Sequence, residues 1–331
     1  MIFCNYSAFN FIAKLEAAQK NKKERGMSIT RRTFTKASLG VSALMAAQPN
    51  MFAMENETIK RVIPSSGEVM PVIGVGTNRY GVGNDQSARA PLKAALAKFH
   101  ELGGTVVDTA PTYGSSEVVL GELISELGIQ KDLFLASKVD RRNISDNTVG
   151  FHESFKRFDT KKFDLMHVHN FKDWENSLAF LKEQKAAGTI RYIGMTTHMP
   201  SQYDLMEKAI KEHTLDFIQV NLSLANQRNS SERVIPMAKD NGVAVLINRP
   251  FGGGGVFSKL NQAKLPEWAK EFECESWAQF LLKYALSEPG VTATIPGMTK
   301  TRHVIDNMKG GMGEMPSANL RKRQERFFDD L

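Results

Sequence analysis

From residue 72 onward, short apolar runs rich in β-branched residues alternate with longer stretches whose apolar positions recur every three or four residues. The short runs predict strands at 72–76, 105–108, 133–138, 163–169, 190–195, 217–221, 243–248 and 291–296. The longer stretches predict helices. In 88–102 the apolar residues Ala90, Leu92, Ala95, Leu96 and Phe99 fall near a 3.6-residue period, and in 201–213 Leu205, Met206, Ala209 and Ile210 do the same. Gly103, Gly104 and Gly188 stand where helices should end. Ahead of the first unit, 58–71 holds two strand-like runs around Ser65-Ser66-Gly67, the pattern of a hairpin. Eight strand-then-helix units without a long linker predict an α/β fold, a (β/α)8 TIM barrel.

A doubly wound dinucleotide fold is the main competitor, and its fingerprint is missing. Gly74-Val75-Gly76-Thr77 lacks the third glycine, and the four glycines at 252–255 lead into no clear helix start with an acidic residue about twenty positions on. No Walker lysine motif occurs either.

Charge divides the chain. The net charge is +7 over 331 residues, but residues 1–53 hold eight basic and two acidic residues and so carry +6, leaving +1 for the rest. A neutral body has no electrostatic footprint for nucleic acid. The leader reads as an address. Thr30-Arg31-Arg32-Thr33-Phe34-Thr35-Lys36 precedes an apolar stretch at 37–47, the pattern of a bacterial twin-arginine signal, and that stretch is too short to span a bilayer. Met27 lies just before the arginine pair and is the expected start, and the best cleavage candidate ends at Ala53. The expected organisation is a leader at 1–53 and one domain at 54–331, exported to the periplasm by the twin-arginine translocation machinery. The two cysteines, Cys4 and Cys274, supply no disulfide framework and no cluster of metal ligands. Cys274 is expected as a buried core residue on a helix.

In a barrel of this kind the βα loops open onto one face, so polar residues at strand C-termini are the catalytic candidates. Asp108 ends the second strand, Lys138 the third and His169 the fourth, and Tyr113 follows Asp108 by five residues. A lysine in a barrel mouth needs an opposite charge beside it, which Asp108 can supply. A lysine cation near a phenol stabilises the phenolate, so Tyr113 is expected to have a lowered pKa and to act as a general acid.

These residues sit in spaced motifs: Asp-Thr-Ala-x-x-Tyr-Gly-x-Ser-Glu-x-x-x-Gly at 108–121, Ser-Lys at 137–138, Asp-Leu-x-x-x-His at 164–169, Gly-Thr-Ile-Arg-Tyr-Ile-Gly at 188–194, Gln-Val-Asn at 219–221 and Ile-Pro-Gly-x-x-Lys at 295–300. Together they resemble the aldo-keto reductases over residues 58–310. The resemblance implies a barrel whose N-terminal hairpin closes the bottom, and NAD(P)H-dependent reduction of a small aldehyde or ketone. It implies Tyr113 as the acid, Lys138 and Asp108 as the pair that tunes it, and His169 as the residue that orients the carbonyl oxygen. His167, on the same side of the strand but deeper, is expected to be a satisfied core residue.

The resemblance also implies a cofactor set. Gln219 matches the residue that holds the nicotinamide carboxamide, with Thr77, Thr196 and Thr197 nearby. Asn248, Phe251 and Gly252 occupy a turn where the family has a tyrosine that stacks on the nicotinamide; Asn248 stands in its place. Gly297, Thr299, Lys300, His303 and Asn307 overlie the adenosine-phosphate segment, where Lys300 and Arg302 can meet a 2′-phosphate. NADPH is the expected cofactor, with NADH as the other option. Two further readings stay open: a nucleotide-binding or regulatory barrel without turnover, and a Schiff-base aldolase using Lys138. Tyr80, Phe171, Trp174 and Phe251 are candidate walls of the substrate pocket, and 318–331 is expected as an amphipathic helix on the outside.

Overall fold

The computed structural model describes residues 57–139 and 144–331; the leader, with Met27, the arginine pair and Ala53, lies outside the described residues. A two-stranded antiparallel hairpin, β1 (Lys60–Val62) and β2 (Val69–Pro71), comes first, as the pattern predicts. Eight parallel strands follow: β3 (Val75–Gly76), β4 (Val106–Asp108), β5 (Phe134–Val139), β6 (Phe163–His169), β7 (Ile190–Thr196), β8 (Phe217–Asn221), β9 (Ala244–Asn248) and β10 (Val291–Thr294). They form one curled sheet in strict chain order from β3 to β10. Its two edges meet. Parallel bridges pair Ile73 with Thr294 and Gly76 with Gly297, carried by Gly74 N to Thr294 O and Thr294 N to Val72 O, both 2.8 Å. The predicted first strand, 72–76, is therefore spread between these bridges and the short β3.

The connecting helices are α1 (Gln86–Glu101), α2 (Ser116–Leu127), α3 (Ile144–Phe158), α4 (Trp174–Ala186), α5 (Tyr203–Glu212), α6 (Val234–Asp240), α7 (Val256–Leu260), α8 (Trp277–Leu286), α9 (Thr301–Lys309) and α10 (Ala318–Asp329). Helix α1 starts two residues before the apolar pattern does, because the Asp85 carboxylate caps it by accepting from Ser87 N and Ala88 N. Gly103 and Gly188 lie just past α1 and α4 with φ of 80° and 76°, the left-handed conformation that ends a helix.

Strands covered on both faces read as continuous apolar runs, and the alternation inside them separates two cores. Val107, Leu135, Met166, Ile193, Ile218 and Val245 point outward into the layer packed against the helices. Val106, Phe134, Ala136, Leu165, Tyr192, Phe217, Leu246 and Ile295 form an inner cluster, to which the hairpin adds Ile63 and Met70. Cys274 is buried as expected but lies in the irregular stretch before α8, not on a helix. Burial outweighs the Ser276 backbone and the Lys283 charge and pushes its thiol up to about 12, so it is an inert packing group.

Candidate functional site

Toward the C-terminal ends of the strands the inner face turns from apolar to polar, and the residues singled out from the sequence converge there. Lys138 and Asp108 are buried, with Lys138 Nζ donating to Asp108 Oδ2 at 2.7 Å and to Thr109 O at 2.6 Å. The same ammonium group sits 5.5 Å from the centre of the Tyr113 ring, close enough for its charge to act on the phenol. Burial alone would lower the Lys138 pKa, but the charge of Asp108 and the phenol reverse this and hold it above its ordinary value. Lys138 is a fixed cation.

Tyr113 departs from expectation. The Lys138 charge does pull the phenol down, yet burial and the Asp108 carboxylate together outweigh it, and the pKa lies above its ordinary value. The proton is therefore held on Tyr113 at neutral pH, as a general acid requires. The loop that carries Tyr113 is fixed by its neighbour: a Cβ at Gly81 would lie 2.6 Å from Tyr113 O, so only glycine lets the two loops approach. Glu117, in the same motif, has a structural role. Its buried carboxylate accepts from Ser137 Oγ, Ser154 Oγ and Arg157, and so ties α2 to β5 and α3.

His169 ends β6 opposite Thr196 of β7. His167 faces inward one step deeper, paired in register with Lys138. It is a core residue as expected, but a poorly satisfied one: it has no exposed surface, and neither ring nitrogen makes a well-formed hydrogen bond, with the Ser137 backbone as a weak partner only. Burial first, then the charges of Lys138 and His169, push its pKa well down, so the ring is neutral.

The amide of Gln219 joins this group. Its Nε2 donates to Asp108 Oδ1 at 2.8 Å, and its Oε1 accepts from Thr196 Oγ1 at 2.9 Å and Asn248 Nδ2 at 3.4 Å. Thr77 Oγ1 donates to Asp108 O, and Thr197 Oγ1 to Gln202 Oε1.

One cleft of about 1010 Å³ runs across these strand ends. It reaches Asp108, Tyr113, His169, Thr77, Thr196, Thr197, Gln219 and Asn248, then Phe251, Gly297, Thr299, His303 and Asn307. Lys138 lies beneath its floor, and neither Lys300 nor Gly252 lines it; Lys300 is the residue before α9, and Gly252 packs on the Asn226 side chain. Gly253 and Gly254 do line it, and the glycine run leads into the short helix α7, which the sequence pattern had not suggested. Of the four proposed pocket walls only Phe251 lines the cleft. Tyr80 is buried with its hydroxyl on Met298 O, and Phe171 and Trp174 pack edge to face against each other. Sequence reasoning missed Asn78, Arg79, Asn170, Arg249 and Trp277, all of which line the cleft. Asn78 and Arg79 directly follow the first strand, where the strand-end rule applied elsewhere would have found them.

The sequence profile of the aldo/keto reductase family matches residues 72–312. The chain is 29% identical over 274 residues to the methylglyoxal reductase YeaE of Escherichia coli, covering 79% of this chain and 93% of that protein. It is 30% identical over 247 residues to the methylglyoxal reductase DkgB of Yersinia pestis, covering 72% and 86%. Among solved structures, an aldo-keto reductase of Klebsiella pneumoniae in complex with NADPH gives a TM-score of 0.67 at 23% identity, over 82% of this chain and 95% of that one. The holo form of an aldo-keto reductase of Bacillus halodurans gives 0.68 at 20% identity, over 82% and 96%.

Proposed function

Because the chain belongs to the aldo/keto reductase family, we propose that it reduces a small aldehyde or ketone to the alcohol, with NADPH as the bound reductant. The observation that carries this reading is the buried Lys138–Asp108 pair set against a protonated Tyr113 at the floor of a single long cleft. When bound, the nicotinamide supplies the hydride. The chain's own residues supply the proton and the field. Tyr113 gives its proton to the carbonyl oxygen as negative charge develops there, and the Lys138 ammonium stabilises the phenolate left behind. Asp108 keeps Lys138 charged and aimed at the phenol. His169, at the same strand-end level, orients the carbonyl oxygen.

The residues present fit a dinucleotide. The cleft continues from Tyr113 to Asn307 without interruption, and its lining changes from amides and hydroxyls to glycines 253 and 254 and then to the start of α9. Gln219, Thr196, Thr197 and Asn248 would hold the nicotinamide end. The glycines would let backbone amides approach the pyrophosphate. His303, with the Lys300 and Arg302 cations beside it, would meet a 2′-phosphate, which favours NADPH over NADH.

The curled sheet is read as a complete (β/α)8 barrel forming one domain at 54–331, supported by the bridges between its edges. The contribution of Ile63 and Met70 to the inner cluster supports the hairpin as the seal of its bottom. The leader is read as a twin-arginine address to the periplasm, on the strength of the Arg31-Arg32-Thr33-Phe34-Thr35-Lys36 motif and the apolar run behind it.

Purified protein mixed with NADPH and methylglyoxal, or a panel of other small aldehydes and ketones, should consume NADPH only when the carbonyl compound is present. No carbonyl-dependent consumption across the panel would refute the activity. For the address, Arg31→Lys with Arg32→Lys should hold the protein in the cytoplasm; an unchanged periplasmic fraction would refute export.

A further inference from the structure

The amides at the nicotinamide end of the cleft have their orientations set by the charged pair. Asp108 is an acceptor, with one oxygen taken by Lys138, so its other oxygen can only receive an N–H, and Gln219 must present Nε2 to it. That turns Gln219 Oε1 toward Thr196 Oγ1 and Asn248 Nδ2, both of which donate to it. Both lone pairs of that oxygen are then in use. Asn248 must in turn direct Oδ1 away from Gln219. That oxygen is buried without a hydrogen-bond partner, on a residue that lines the cleft.

From this chain of bonds we infer that Asn248 is a specificity residue: its Oδ1 accepts an N–H of the nicotinamide carboxamide, a task Gln219 cannot perform because its acceptor is saturated. The inference rests on the reading of the protein as a NAD(P)H-dependent reductase and adds a residue to that site. One N–H of Gln219 remains for the carboxamide oxygen, so the two side chains divide the amide group between them. Ring stacking plays no part at this position. The bonds also run without a break from Asn248 through Gln219 and Asp108 to Lys138, so the group that reads the cofactor is linked to the pair that governs Tyr113.

The test compares NADPH with its reduced 3-acetylpyridine analogue, which replaces the carboxamide by a methyl ketone and so keeps the acceptor but loses both donors. Binding is read by quenching of tryptophan fluorescence, with no turnover needed. The protein should bind NADPH about tenfold more tightly than the analogue, the effect of one unmet hydrogen bond in a cleft. Asn248→Ala should lose about that factor for NADPH and nothing for the analogue, and its unchanged grip on the analogue shows that the variant is folded. If Asn248→Ala leaves the preference intact, and Asn170→Ala abolishes it, the donor is read from the β6 side and the role of Asn248 is refuted. Equal affinity of the unmodified protein for both dinucleotides also refutes that role. If it binds neither, it is the reading as a nicotinamide-dependent reductase that fails.

Discussion

Lys138 Nζ lies 2.7 Å from Asp108 Oδ2, with the two side chains 1% and 3% exposed. A pair this deep is worth little net stability when intact, because desolvation offsets most of the attraction, but removing one partner leaves an uncompensated charge. Asp108→Asn should therefore cost about 3–5 kcal/mol in urea unfolding. The companion change Asp108→Leu with Lys138→Met should recover much of that loss while remaining inactive. A cost for Asp108→Asn within the scatter of surface substitutions would show that the pair is wetter than its burial implies.

Tyr113→Phe removes the proton donor without emptying the space. It should lower kcat by at least about 10² while leaving NADPH affinity close to unchanged. The pH profile is a sharper check. Because burial and Asp108 outweigh Lys138 and hold the phenol above its ordinary value, kcat/KM for reduction should stay level through neutrality. It should fall only on the alkaline side of the usual phenol range near ~10. A fall centred near neutrality would contradict the assignment of Tyr113 as the acid.

The His303 imidazole is held below its ordinary value by burial and by the neighbouring Arg302 and Lys300 cations. A 2′-phosphate arriving beside it would favour the protonated ring, so binding takes up a proton. Affinity for NADPH should then fall as pH rises through the window around and below ~6.5, whereas NADH, lacking the phosphate, should show no such slope. Calorimetric titrations of both cofactors in buffers of different ionisation heat would measure the uptake. Identical pH dependence for the two would mean that His303 does not see the phosphate.

His167 carries two nitrogens without a well-formed hydrogen bond in the barrel interior. His167→Leu fills similar space without buried polar atoms, and it should stabilise the fold by about 1–3 kcal/mol at neutral pH. The sign of the pH effect follows from the depressed pKa. Below ~6.5 the unfolded chain protonates this ring and the folded protein does not, so stability drains away as pH falls, by up to about 1.4 kcal/mol per pH unit. The leucine variant should lose that component. Parallel urea midpoints for both proteins between neutral and mildly acid pH would argue that the ring is hydrated.

Much of the fold could be read from the chain because it rests on local periodicity. Strands β6 and β8 match their predicted bounds, 163–169 and 217–221, and most other strands shift by a residue or so at an end. Asp108, Lys138 and His169 were legible as strand-end residues, since a parallel barrel turns position along a strand into height in the mouth. The cofactor end was less so. Lys300 and Gly252 fall outside the cleft lining while Gly253, Arg249 and Trp277 fall inside it. These residues lie on irregular loops with no period to read, and their directions depend on what packs beneath them.

Periodicity and motif spacing were therefore enough to establish the parallel architecture and to single out Asp108, Tyr113 and His169, which the fold gathers at one cleft. Net electrostatics was decided only in three dimensions. Whether Tyr113 sits above or below its ordinary pKa depends on competition between Lys138, Asp108 and burial, and the poorly satisfied state of His167 depends on which neighbours fail to reach it. The unpartnered oxygen of Asn248 follows from a hydrogen-bond chain joining residues as far apart as 108 and 248. Such quantities are sums over neighbours distant in sequence, and they exist only once the strands have been brought side by side.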